Sequence, residues 1–223
     1  MNIARRSTLA IALVALLGAC SLAGARSKPV ALPDPKGDAP LAAGKDQVAV
    51  FAGGCFWGIE AVFEHVKGVK TAVSGYSGGS ALTAKYSLIG TGQTGHAEAV
   101  RVVYDPAVVS YGQLLKVYFS VAHDPTQLNR QAPDVGPQYR SEIFAATPAQ
   151  QALATAYIRQ LSAAKAFAAP IVTRVGPLKA FYRAEAYHQD YLRLHPDEPY
   201  IVYNDAPKLE HLKQLYPKLY RGG

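Results

Sequence analysis

The stretch that most constrains this chain is DQVAVFAGGCFWGIEAVFEHVKG, residues 46–68. VAVF is a short apolar run of the kind that forms a buried strand, and Gly53-Gly54 ends it. From Trp57 the period changes. Ile59, Val62, Phe63 and Val66 recur at i, i+3, i+4 and i+7, one face of a helix, with Gly68 as its stop. A strand, two glycines and a helix with Cys55 at the junction require a sheet for that helix to pack on.

The rest of the chain continues the alternation. VKTAVSGYSGG (69–79) reads as a strand entering a glycine-rich loop, and HAEAVRVVYDP (96–106) as a strand closed by Asp105-Pro106. SYGQLLKVYFSVA (110–122) has helical period. SEIFAA (141–146) is a strand, and TPAQQALATAYIRQLSAA (147–164) is a helix with Thr147 as N-cap and Pro148 in its first turn. APIVTRVG (169–176) predicts another strand. After Tyr187 the chain is rich in Tyr, His and Pro and predicts a long C-terminal coil. The reading is an α+β domain, a mixed sheet and helices in a two-layer sandwich.

The N-terminus predicts export. Arg5 and Arg6 precede LAIALVALL (9–17), an apolar run too short to span a bilayer. LGAC (17–20) resembles the lipobox of bacterial lipoproteins, with Cys20 as the lipidated residue. Cleavage after AGA (23–25) is the alternative, and on either route the Cys20 thiol is capped or lost. Residues 21–45, with Pro29, Pro33, Pro35 and Pro40, read as an extended tether. The domain reading is a signal peptide at 1–19, a lipid-anchored Pro/Ala-rich linker at 20–45 and a catalytic domain at 46–223. The net charge of +7 is spread over scattered Lys and Arg with no basic stripe, which argues against nucleic acid as a partner.

Cys55 is one of two cysteines, and Trp57 is the sole tryptophan. A thiol at a helix start meets unpaired N–H groups and a partial positive charge, so it is expected to titrate below a free thiol. The glycines would let a substrate approach the backbone. A buried structural cysteine fits the same spacing. Phe56 and Trp57 read either as core or as an apolar wall beside the thiol. Glu98, by residue type alone, reads as an exposed strand carboxylate.

GCFWG resembles the signature of the peptide methionine sulfoxide reductase A family. GYSGG (75–79), TGHAEAV (94–100) with the YDP and SY after it, HDPTQLNRQAPDVGPQYRSEI (123–143) and AEAYHQDYL (184–192) resemble its further blocks, in the same order. The resemblance implies a ferredoxin-like core and reduction of the S epimer of methionine sulfoxide, free or in oxidised proteins. It implies Cys55 as nucleophile and Glu98 as the acid that protonates the sulfoxide oxygen. Tyr86, Asp134 and Tyr139 would complete the polar pocket, and Phe56 and Trp57 would hold the S-methyl group. No bound cofactor and no metal is expected. His96, His123 and His188 lack ligand spacing and read as supporting residues.

Two departures from the family pattern matter. Ala132-Pro133 stands where the family usually has Gly-Asn, and proline stiffens the loop carrying Asp134. The stretch 208–223 has none of the recycling cysteines that many relatives carry. Cys55 sulfenic acid would therefore need an external thiol: a thioredoxin-like or glutaredoxin-like protein, or a small thiol. The expected state is a monomer, lipid-anchored in the bacterial cell envelope and facing the periplasm. The rival readings are a cysteine hydrolase with Cys55 activated by His96, and a non-catalytic lipoprotein that binds peptides through its aromatic loop.

Overall fold

The computed structural model describes residues 31–39 and 44–222. The expected signal peptide and Cys20 lie outside the described residues. In chain order the elements are β1 (Gln47–Ala52), α1 (Phe56–Glu64), β2 (Val69–Ser77), α2 (Tyr86–Ile89), β3 (Ala97–Tyr104), α3 (Tyr111–Val117, continued by a π turn at Tyr118–Ala122), β4 (Arg130–Gln131) and β5 (Asp134–Val135). They are followed by β6 (Glu142–Ala145), α4 (Pro148–Ala163), β7 (Arg174–Pro177), β8 (Phe181–Arg183), α5 (Tyr191–Leu194), a π turn at Ile201–Asp205, and α6 (Ala206–Leu215).

Six strands form one mixed sheet in the order β7-β6-β1-β3-β2-β8. All pairs are antiparallel except β6 with β7. Side chains alternate between the two faces of a strand, and the apolar ones divide accordingly. Ala49 and Phe51 of β1, Val100, Val102 and Tyr104 of β3, and Ile143 of β6 join the main core with the helices. Val50, Ala52, Ala97, Ala99 and Phe144 form a thinner cluster on the other face. Phe63 of α1 stacks on Phe51 with ring centroids 5.0 Å apart, and Tyr118 stacks there at 4.9 Å. The same alternation puts Glu98 on the face of Val100 and Val102, pointing into the helix layer rather than to solvent.

The helix starts behave as their sequences predict. Ser110 and Gln113 make a reciprocal capping box on α3, and the Thr147 hydroxyl accepts the Gln150 N–H at 3.1 Å. Three expectations change. The strand predicted at 169–176 is confined to Arg174–Pro177, because the residues before it turn to the loop after α3, where the Val172 N–H donates to the Pro125 carbonyl at 2.8 Å. The expected C-terminal coil contains α5, a π turn and α6. Pro207 sits in the first turn of α6, and Leu209, Leu212 and Leu215 share a face that packs on the main core. Residues 31–39, expected as part of an extended tether, are docked and turn at Lys36-Gly37. Leu32 is buried, the Tyr157 hydroxyl donates to the Pro33 carbonyl, and the Asp38 carboxylate accepts from Ser110 Oγ at 2.5 Å and the Gly112 N–H at 3.1 Å. Asp38 is thus a second cap at the start of α3.

Candidate active site

Cys55 is the residue before α1, and only 8% of it is exposed. The Trp57 backbone N–H faces its sulfur. Space explains the glycines in front of it. A Cβ on Gly53 would come within 2.7 Å of the His123 ring, and one on Gly54 within 2.6 Å of the Gln131 side chain. Gly54 also has φ +101°, a conformation that favours glycine. His123 and Gln131 occupy the space a side chain at either glycine would need and wedge the Cys55 turn. His123 is held in turn by Ser141 Oγ at 2.7 Å and the Tyr118 carbonyl at 3.0 Å.

Glu98 reaches Cys55 from β3. Its Oε2 accepts the Phe56 N–H at 3.1 Å, and only 2% of the residue is exposed. The reading by residue type alone, an exposed strand carboxylate, does not hold. Burial pushes its pKa up to about 8. The Phe56 N–H opposes the rise, while Asp134 and Asp205 add to it. Glu98 is mostly a neutral acid at pH 7.

The same cleft, of about 280 Å³, is lined by Cys55, Phe56, Trp57, Tyr86, Glu98, Asp134, Tyr139, Glu198 and Tyr200. All seven residues expected in the domain's site therefore meet in one place. Asp134 lies on the β4–β5 hairpin, across from Gln131. The Tyr200 hydroxyl donates to Asp134 Oδ2 at 2.5 Å. Glu185 ties the Tyr86 end together, accepting the Tyr86 N–H at 2.9 Å and the Tyr76 hydroxyl at 2.8 Å. Trp57 stacks on Tyr191 with ring centroids 3.7 Å apart and donates from Nε1 to His188 Nδ1 at 3.2 Å. Burial raises the phenols of Tyr86, to about 12, and of Tyr139 and Tyr200, so each stays a hydrogen-bond donor.

The thiol departs from expectation. Burial first, then the carboxyl groups of Glu98 and Asp205, push Cys55 well above the ordinary thiol range. The Trp57 N–H and the Lys208 ammonium oppose this. The positive end of a two-turn helix is outweighed by desolvation. Tyr200, Glu198, Asp205 and Lys208 escaped the sequence reading, since tyrosine is abundant here (14 residues) and the segment after Tyr187 was read as coil. Among the described residues no group of His, Cys, Asp and Glu could hold a metal ion. Both ring nitrogens of His96 are engaged, with the Gly79 N–H and the Ser80 carbonyl, so it is not poised as a base for Cys55.

A thiol beside a neutral carboxyl and phenol donors, with His96 engaged elsewhere, fits a thiol-dependent oxidoreductase better than a cysteine hydrolase activated by that histidine. Residues 47–219 match the family model for peptide methionine sulfoxide reductase. The chain is 61% identical over 179 residues to peptide methionine sulfoxide reductase MsrA 2 of Mesorhizobium japonicum, covering 80% of this chain and 92% of that one. It is 56% identical over 168 residues to the MsrA 2 of Synechocystis, covering 75% and 78%. Among solved structures, methionine sulfoxide reductase A of Corynebacterium diphtheriae superposes with a TM-score of 0.60 at 36% identity, covering 75% of this chain and 85% of that one. The chain belongs to the peptide methionine sulfoxide reductase family, and it reduces methionine sulfoxide to methionine, a protein-repair reaction.

Proposed function

We propose that this chain reduces the S epimer of methionine sulfoxide, free or in oxidised proteins, by attack of Cys55 Sγ on the sulfoxide sulfur. The observation that carries this reading is the hydrogen bond from the Phe56 N–H to Glu98, which holds a protonated carboxyl beside the thiol. Glu98 gives its proton to the sulfoxide oxygen as the S–O bond weakens, and the thiol proton restores the Glu98 carboxyl. In sum, oxygen passes from methionine sulfur to cysteine sulfur. The sulfoxide is reduced by two electrons, and the thiol is oxidised to sulfenic acid. Tyr86 and Tyr139 donate to the same oxygen without adding charge. Asp134, steadied by Tyr200, completes the polar side. Phe56 and Trp57 form the apolar side for the S-methyl group, and the opposition of the two sides selects the epimer.

Of the two cysteines in the sequence, Cys55 is the one among the described residues. Its sulfenic acid is resolved by an external thiol, thioredoxin-like, glutaredoxin-like or small. One thiol forms a mixed disulfide and releases water, and a second frees Cys55. The core strand order β6-β1-β3-β2, with α1 and α3 in its crossovers, supports the ferredoxin-like assignment. The N-terminal pattern supports export with a lipid anchor on Cys20. The test is an assay of both sulfoxide epimers with dithiothreitol, on wild type and Cys55→Ser. Turnover of the S epimer alone, abolished in the variant, is expected. Residual turnover in Cys55→Ser would remove Cys55 from the reaction.

A further inference from the structure

Against the first turn of α1 lies an ion pair that the reaction just described leaves unused. Asp205 closes the π turn before α6 and Lys208 sits in the first turn of that helix. Lys208 Nζ is 2.9 Å from Asp205 Oδ1. The Asp205 side chain is fully buried and that of Lys208 is 17% exposed. The pair occupies the space a side chain at position 58 would need, since a Cβ on Gly58 would collide with Asp205 Oδ1 and Lys208 Nζ. Gly58 is one residue past Trp57, in the turn that carries Cys55. Asp205 Oδ2 is buried with no hydrogen-bond partner among the described residues. A fully buried charge with one oxygen left bare costs stability, so its place against this turn calls for a role.

We propose that Lys208, held by Asp205, is a positioning residue that supplies a fixed positive charge to Cys55 across the first turn of α1. The inference rests on Cys55 being the nucleophile. The other charges and titrating groups around the sulfur come from every neighbouring element: Glu98 on β3, Tyr86 on α2, Asp134 on β5, Tyr139 after it, His123 behind Gly53, His188 against Phe56, Tyr191 on α5, and Glu198 and Tyr200 beyond it. Burial, Glu98 and Asp205 oppose a thiolate, and Lys208 favours it, offsetting part of the effect of its own partner. Lys208 is not among the residues lining the cleft, so it acts without occupying substrate space. The cycle needs a thiolate at Cys55 at a definite moment. When a second thiol attacks the mixed disulfide, the S–S bond breaks and Cys55 departs with the electron pair. A leaving sulfur departs faster when its negative charge is stabilised.

The test reads the thiol rather than turnover. Alkylation of reduced Cys55 by iodoacetamide is followed from pH 6 to 10.5 in a Cys20→Ser background. An opposite charge within about 4–6 Å shifts a titrating group by about 1–3 units, and Lys208, the smallest of the influences on Cys55, belongs at the low end. Lys208→Met should therefore slow alkylation at pH 8 by about tenfold and move the profile to higher pH, with Lys208→Arg close to wild type. Asp205→Asn should move it the opposite way. If Lys208→Met alone does not fold, removing Lys208 from the Asp205→Asn protein leaves no lone buried charge, and it should still slow alkylation. A Lys208→Met profile that overlays wild type, or an Asp205→Asn shift in the same direction as Lys208→Met, would overturn the proposal. Turnover of Cys55→Ser decides separately whether Cys55 is the nucleophile.

Discussion

Replacing Glu98 by glutamine tests the acid directly. With a pKa of about 8, Glu98 is roughly nine-tenths protonated at pH 7; at the ordinary glutamate value of 4.5 only roughly 0.3% would be. Burial beside β3 and α1 thus raises the supply of neutral acid by about 300-fold. Glutamine keeps a donor in the same place but has no proton to transfer, so a loss of about 10²–10⁴ in the chemical step is expected. The assay is single-turnover formation of methionine from the S epimer between pH 6 and 10. Wild type should lose rate as pH rises through about 8, and the variant should lack that limb. Stability should move the other way. A carboxyl with a raised folded pKa binds its proton more tightly in the native state. Its contribution is therefore complete below the unfolded value and is lost as pH rises towards the folded one. The stability of Glu98→Gln should gain on wild type by roughly 1.4 kcal/mol for each pH unit between 4.5 and 8, read by denaturant titration. Wild-type single-turnover rates in the variant, or a limb near pH 8 that survives in it, would show that the proton comes from elsewhere.

Without reductant, each enzyme molecule should make about one methionine and stop as a sulfenic acid that a dimedone reagent traps. A burst near two, or an intramolecular disulfide by mass spectrometry, would contradict external resolution. Asp38→Ala removes the acceptor for Ser110 Oγ and the Gly112 N–H, and should cost about 0.5–2 kcal/mol, seen as a lowered Tm. An unchanged Tm would mean that residues 31–39 do not hold α3. Cys20→Ala should move the protein from the membrane fraction to the soluble one, because the acyl anchor is lost. Continued membrane association would refute lipidation.

The local order of this chain was legible because it is written in local chemistry. Apolar periods marked α1, α3, β2 and β3, the Thr147 cap and Pro148 marked α4, and motif order marked the residues that meet in the cleft. What the sequence concealed depends on contacts between distant segments. Glu98 alternates in step with Val100 and Val102, so its inward direction was available in the pattern. How far its pKa rises depends on burial under α1 and on Asp134 and Asp205, which approach from other parts of the chain. Gly53 and Gly54 promised a close approach of substrate to the backbone, and the fold packs His123 and Gln131 against them. The helix start promised a low thiol pKa, and desolvation reversed it. A helix terminus is a property of a few consecutive residues. Burial and Coulomb fields are sums over everything the fold brings near, so the motifs of the sequence by themselves named the residues that meet in the cleft, and only the tertiary structure decided their charge.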